Sequence, residues 1–297
     1  MFRDKTYIEL ANGLLFNVTG YQHPQGHVYA SLKYVDGQKW TGGYEKAKSF
    51  LRESHPELID QYICVPIDRI QRVFDPQTRW AELNRSSRRS PLIAEALELG
   101  QQLREKLQIP DSTSASADSE FGITDSLLWS EGHSESDIDL VVIGRSNAKR
   151  LMKHIDSVYE SDSFERPNPK RMQAPYSLAV DDWPRILSRK MHMGAYKGRL
   201  FSTRVILRDS ECHSLLPSEP TNGEISRIEF RVEDIEDSLI FPATYRNAAG
   251  DELVDYSVVY EGVFRIGDVV QCECCRETMP NGLNRFVMSG DFGNVSF

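Results

Sequence analysis

Residues 121–144 read FGITDSLLWSEGHSESDIDLVVIG, and the rest of the chain is organised around them. The spacing predicts a short helix or turn opening at Gly122, then a loop, then an apolar strand from Ile138 to Ile143. This strand brings two carboxylates, Asp137 and Asp139, one step apart. Alternate side chains of a strand point the same way, so both acids face one spot. Converging carboxylates repel, and their pKa values rise unless a cation neutralises them. Hard oxygen ligands suit magnesium or manganese, and such ions clamp a triphosphate and activate an attacking hydroxyl. The bland reading of the two acids is a solvated strand start, since Asp is common in turns and caps. The four apolar residues that follow favour the functional one. Upstream, Ser126 lies in a segment whose backbone N–H groups and hydroxyl suit terminal phosphate oxygens. A helix N-cap is its competing role.

Gly122, Ser126 and the run Ser136-Asp137-Ile138-Asp139-Leu140 resemble the signature of the DNA polymerase β-like nucleotidyltransferase superfamily. In that superfamily a Gly-Ser pair precedes an Asp-x-Asp on the next strand, and a third acid lies on a later strand. The pattern covers roughly Leu92 to Asp209. Within the superfamily the chain is most similar to a prokaryotic group of predicted nucleotidyltransferases with a small N-terminal β-rich segment before the core. The resemblance implies an α+β fold with a nucleotidyltransferase-like mixed sheet. It also implies transfer of a nucleoside monophosphate from an NTP to a hydroxyl acceptor (RNA, protein or a small molecule), with Mg2+ or Mn2+ on Asp137 and Asp139, and Gly122 and Ser126 at the nucleotide. Two departures stand out. The expected Gly-Ser reads Asp125-Ser126, which puts a negative side chain where phosphate docks. The later strand, Phe201 to Leu207, offers Ser202 and Arg204 on its polar face and no carboxylate before Asp209. The alternative reading is therefore a catalytically degenerate fold that senses nucleotides or binds nucleic acid.

Around this core the pattern is helical from Leu92 to Leu107 (Leu92, Ala96, Leu99, Leu103, Leu107), with Pro91 at a first helical position. Asp111 to Glu120 reads as a loop, and Asn147 to Tyr159 as a second helix. From Arg166 to Arg204 the chain is basic: Arg166, Lys170, Arg171, Arg185, Arg189, Lys190, Lys197, Arg199 and Arg204. A solvated face explains most charge runs. The position next to the strand expected to pair with the acidic one favours a phosphate-facing surface, with Arg189, Lys190, Lys197 and Arg204 as the pool. A guanidinium matches phosphate oxygens in a bidentate fork, so Arg204 is assigned to phosphate and not to metal.

The chain has 297 residues, 40% hydrophobic and 27% charged, which suits a soluble protein of two or three domains. These are expected at 1–84 (β-rich, with a helix), 91–216 (the nucleotidyltransferase-like core) and 224–297. No apolar run approaches a membrane span and the first residues lack a signal-peptide pattern, so a cytoplasmic location without membrane partners is expected. A net charge of −9 argues against a general nucleic-acid coat. Five cysteines, an odd number, fit a reducing compartment.

At the N-terminus, Thr6 to Glu9, Leu14 to Thr19 and Val28 to Val35 read as short strands, with Asn12-Gly13 as a hairpin signal. Tyr44 to Ser54 follows as a helix, and Pro56 and Pro66 break the stretch up to Asp75-Pro76. Tyr21, Tyr34, Lys33, Lys39 and Trp40 form an aromatic and basic set suited to stacking on a nucleic acid, or to packing a small core. Beyond Pro217 to Gly223, a linker, five strands are expected: Ile225 to Val232, Leu239 to Tyr245, Ser257 to Phe264, Val269 to Glu273 and Arg285 to Met288. They suggest a small OB-like barrel. Cys272, Cys274 and Cys275 spell CECC, but a second ligand pair is missing, so buried free thiols are favoured over zinc. His23 and His27 read as turn residues.

Overall fold

The computed structural model describes residues 2–110, 119–172, 182–212, 225–279, 281–288 and 295–297. Most of the expected Asp111 to Glu120 loop and the whole Pro217 to Gly223 linker lie outside them. The protein is α+β and builds three sheets.

The first sheet contains β1 (Tyr7–Leu10), β2 (Leu14–Val18), β3 (His27–Val35), β4 (Gln38–Lys39), β5 (Cys64–Pro66) and β6 (Ile70–Phe74) in the order β4-β3-β2-β1-β6, with β5 pairing β3. All its pairs are antiparallel. Two helices accompany it, α1 (Gly43–Ser54) and α2 (Pro76–Arg85). Alternation explains the sheet's two faces. Val28, Ala30 and Leu32 of β3 pack with Ala47 and Leu51 of α1. On the other side Tyr7, Leu15, Tyr34 and Phe74 pack against Leu128 and Trp129 of the next layer. Asp75-Pro76 starts α2 where a break was expected. The Asp75 carboxylate accepts from the backbone N–H groups of Gln77 and Thr78, and Pro76 takes a first-turn position where no N–H is needed.

The central layer runs α3 (Pro91–Lys106), β7 (Phe121–Ile123), α4 (Ser126–Trp129), β8 (Ile138–Ile143), α5 (Arg145–Val158), β9 (Phe164–Glu165), α6 (Trp183–Leu187), β10 (Met193–Tyr196), β11 (Arg199–Ile206) and α7 (Asp209–Cys212). Its sheet is mixed, ordered β7-β8-β11-β10-β9, with β8 and β11 parallel and the other pairs antiparallel. Leu140 and Val142, with Phe201 and Val205, join Leu99 and Leu103 of α3 and Leu151 and Ile155 of α5 in one core. The opposite face carries Asp139 and Ser202 side by side, then Val141 beside Arg204, then Ile143 beside Ile206.

The third sheet holds β12 (Ile225–Arg231), β13 (Ala243–Arg246), β14 (Glu252–Asp255), β15 (Val269–Thr278) and β16 (Asn284–Met288), in the order β12-β15-β16-β14-β13. It corrects the expected barrel: β12 and β13 are the two edges of an open sheet. The expected strand Ser257 to Phe264 is a loop, although Val259, Tyr260, Val263 and Phe264 are buried. Side chains replace the ladder there. The Asp255 carboxylate accepts from the N–H groups of Ser257 (2.7 Å) and Tyr260 (2.8 Å), and the Tyr245 hydroxyl accepts from Val263 N–H at 3.1 Å while donating to the Tyr260 carbonyl. Among the described residues no helix is long and apolar enough to cross a membrane.

Candidate active site

Asp139 is the second residue of β8, and parallel register sets Ser202 of β11 directly beside it. The Ser202 hydroxyl donates to Asp139 Oδ1 at 2.5 Å. Asp137 precedes the strand and is exposed. A third carboxylate, Asp125, stands at the junction of β7 and α4, where Tyr7 of β1 donates its hydroxyl to Oδ1 at 2.6 Å. The three acids titrate against one another. Burial and then the Asp125 charge push Asp139 up to about 7. Asp137, exposed at its surface but partly desolvated by the neighbouring protein, is also raised, against the opposing pull of Lys39 and Arg199. For Asp125 burial is outweighed by Lys33, the Tyr7 hydrogen bond, Lys5 and Arg204, which together hold it below the usual carboxylate range. Near neutral pH Asp125 is thus ionised while Asp139 shares a proton with its surroundings. The site therefore keeps one carboxyl partly protonated although several cations act on its acids.

Asp125 has φ 51° and ψ −132°, a backbone that glycine adopts readily and other residues rarely. The position where the superfamily pattern has Gly keeps a glycine-type backbone with an aspartate on it, at a cost of about 1–3 kcal/mol. The Tyr7 hydrogen bond and the Leu128 N–H, which donates to the Asp125 carbonyl at 3.1 Å, hold it there. Ser126 follows as the first residue of α4, so the N-cap position belongs to Asp125. The Ser126 carbonyl accepts from the Ser130 hydroxyl at 2.6 Å.

Gly122 lies in the middle of β7 and opens neither a helix nor a turn. A Cβ there would meet Val141 Cγ2 at 2.6 Å and the Pro76 backbone carbon at 2.9 Å, so it is needed for the close approach of β7 to α2. Gly122→Ala is expected to lower stability by about 1–3 kcal/mol through overpacking, read as a drop in the urea midpoint. A change of less than a few tenths would show that the two elements separate freely.

The basic segment departs from expectation because its charges are engaged internally. Lys190 is 2% exposed; its ammonium donates to the carbonyls of Val258 (2.9 Å) and Glu261 (3.2 Å), and burial draws its pKa down to about 8. Lys197, in the turn between β10 and β11, pairs with Glu98 at 2.6 Å. Arg189 pairs with Asp268, and Arg199 with Glu95 at 2.8 Å. Arg199 also donates to the carbonyls of Ser134 and Ser136, which fixes the turn that delivers Asp137. Arg204 does face Asp139 and Asp125 electrostatically, but its guanidinium is bound to Glu261, which hangs from the loop between β14 and β15. Internal partners are the rule here: α3 supplies acids to Lys197 and Arg199, and the loop between β14 and β15 supplies acids to Arg189 and Arg204 and carbonyls to Lys190.

The cations facing the acids come instead from the first sheet: Lys5, Lys33 and Lys39. Lys33 and Lys39 have no ion-pair partner among the described residues. Sequence reading singled out Lys33 and Lys39 for nucleic acid but nothing local tied β3 or β4 to residues 125–139. Among the described residues no group of three His, Cys, Asp or Glu side chains is set as a ready-made metal site. Cys272 and Cys274 are buried, with Sγ atoms 3.3 Å apart, and Cys275 faces the other way on β15. His23 Nδ1 accepts from Tyr29 N–H at 3.2 Å, and its other ring nitrogen lies 3.2 Å from the Phe2 carbonyl. Compared with known proteins, the chain matches no family model, no curated protein and no solved structure.

Proposed function

We infer that the protein is a metal-dependent nucleotidyltransferase that moves a nucleoside monophosphate from an NTP to a hydroxyl acceptor, on a nucleotidyltransferase-like mixed sheet. The observation that supports this most is the crowding of Asp125, Asp137 and Asp139 at the head of β8, where Asp139 holds a proton up to about 7. A buried carboxyl held protonated by its acidic neighbours is one that a divalent cation would ionise. Asp137 and Asp139 would hold Mg2+ or Mn2+, which would supply charge stabilisation at a triphosphate and acidify an attacking hydroxyl. The chain's own residues do the rest. Ser202 orients Asp139, Tyr7 orients Asp125, and Lys33 and Lys5 offset phosphate charge from the first sheet. Asp139 must be ionised to serve as a ligand, so activity rises with pH through about 7.

One observation favours the alternative of a degenerate nucleotide-sensing module: the ionised Asp125 occupies the phosphate-docking position of the superfamily pattern. The two readings separate on one experiment. Incubation with α-labelled NTPs, Mg2+ or Mn2+, and total RNA, protein or metabolites is expected to label one of these pools. Lys33→Ala should reduce the transfer about tenfold or more, and Lys197→Ala should leave it near wild type. Asp125→Gly should reduce transfer in a working enzyme. Absence of label from every pool, together with tighter NTP binding by Asp125→Gly, would establish the sensing module instead.

A further inference from the structure

Of the aromatic and basic set, Lys39 and Trp40 line an open cavity of about 440 Å³ at the end of the first sheet, within the size range of small-molecule sites. One wall is apolar: Val35, Phe50 and Trp40, whose ring is 5.2 Å from that of Phe50. The rim is cationic. Lys39 and Lys46 are exposed, and neither has an ion-pair partner among the described residues. Asp36 adds an acceptor at the edge. Gly42 lies against the Trp40 ring, which a Cβ there would meet at 2.8 Å, and the indole N–H donates to the Gly43 carbonyl at 3.0 Å, so the ring is held in place. Gly42, the residue before α1, and Lys46 and Phe50 of that helix complete the lining. Lys39 ties this cavity to the acids, since it is the foremost cation acting on Asp137.

A flat apolar wall beside two free ammonium groups selects a ligand that is planar at one end and anionic at the other. We propose that this cavity is a second nucleotide subsite, in which the base stacks on Trp40 and the phosphate meets Lys39 and Lys46. Its role as the acceptor subsite, placing a nucleotide's hydroxyl toward Asp137, rests on the transferase reading; its binding of a nucleotide does not. The same base and phosphate are offered by a free nucleotide and by the end of an RNA strand.

Titration in EDTA, followed by calorimetry and tryptophan fluorescence, tests the site with no divalent cation at the acids. The probes are 5′-AMP, 5′-UMP, a tetra-adenylate RNA and inorganic pyrophosphate. Binding of the nucleotides or the RNA is expected, with pyrophosphate at least about tenfold weaker because it lacks the base. Tighter binding of the RNA than of AMP would identify a strand end as the source, and equal or weaker binding a free nucleotide. Trp40→Leu and the surface variant Lys46→Glu should each weaken binding about tenfold, and Asp139→Asn should leave it unchanged. Failure of every probe to bind, or wild-type affinity in Lys46→Glu, would overturn the subsite. Failure of label transfer with this binding intact would remove the transferase reading and leave the subsite standing.

Discussion

Asp139→Asn is expected to abolish nucleotidyl transfer and, in metal-free buffer above pH 7, to make the protein more stable. Burial and the Asp125 charge lift the Asp139 pKa to about 7 in the folded chain, against about 4 in an unfolded one. Between these values the folded state holds a proton that the unfolded state has released. The stability Asp139 contributes is therefore complete below about pH 4 and is lost as pH rises through about 7. Ionising such a carboxyl in place costs up to about 4 kcal/mol. Asparagine has the same shape, can still accept the Ser202 hydroxyl, and carries no charge to desolvate. Urea unfolding in EDTA should show the variant equal to wild type near pH 5 and about 1–3 kcal/mol more stable at pH 8, with part of the limit forfeited to imperfect hydrogen bonding. Turnover should fall by at least about 100-fold, as when a preorganised electrostatic group is removed. A variant less stable than wild type at pH 8 would mean that Ser202 and Arg204 already hold Asp139 ionised, and the case for a cation would go with it.

What could be read from the sequence was local. Ile138 to Ile143 is a strand with the expected bounds because an apolar run bracketed by Asp137 and Gly144 has few other conformations. The helices expected from 3.6-residue periodicity at Leu92 to Leu107, with Pro91 as a start signal, and at Asn147 to Tyr159 form at 91–106 and 145–158. Local patterns failed where side chains take over the role of the backbone ladder. Ser257 to Phe264 is apolar enough for a strand, but Asp255 and Tyr245 capture its N–H and carbonyl groups. The strands Cys64–Pro66 and Ile70–Phe74 escaped notice because prolines flank them and Gln71, Arg72 and Val73 are exposed. The site failed for a related reason. Its aspartates are visible as a motif, but their partners are distant in sequence: Tyr7 is 118 residues from Asp125, and Arg204 is 57 from Glu261. Composition revealed a basic segment; only the fold reveals that Glu95, Glu98, Asp268 and Glu261 engage it.

Arg204→Met is expected to cost about 3–5 kcal/mol at pH 8, far more than Glu261→Gln, although both break the same ion pair. The Arg204 side chain is 21% exposed and that of Glu261 is 8%. Burial disfavours the guanidinium's charge, but Glu261, Asp139 and Asp125 together more than offset this. Removing the guanidinium leaves Glu261 buried without its partner and both aspartates without a shared cation. Removing the Glu261 charge leaves Arg204 two acids to serve, so that loss should be about 1 kcal/mol. The pair also predicts opposite movements at Asp139, whose pKa Arg204 lowers. In Arg204→Met the Asp139 proton should persist to higher pH, and in Glu261→Gln, where Arg204 is free to turn to the aspartates, it should leave at lower pH. Metal-free stability measured from pH 5 to 9 should therefore end its Asp139-linked decline at higher pH in the first variant and at lower pH in the second, with the rising limb of any pH–rate profile shifted in the same sense. These shifts separate an electrostatic link from simple packing, because a loosened loop between β14 and β15 would lower stability at all pH values without moving either limb. Equal losses in the two variants, with no displacement of the decline, would reduce Arg204–Glu261 to a strut between the central and third sheets and sever it from the chemistry of the aspartates.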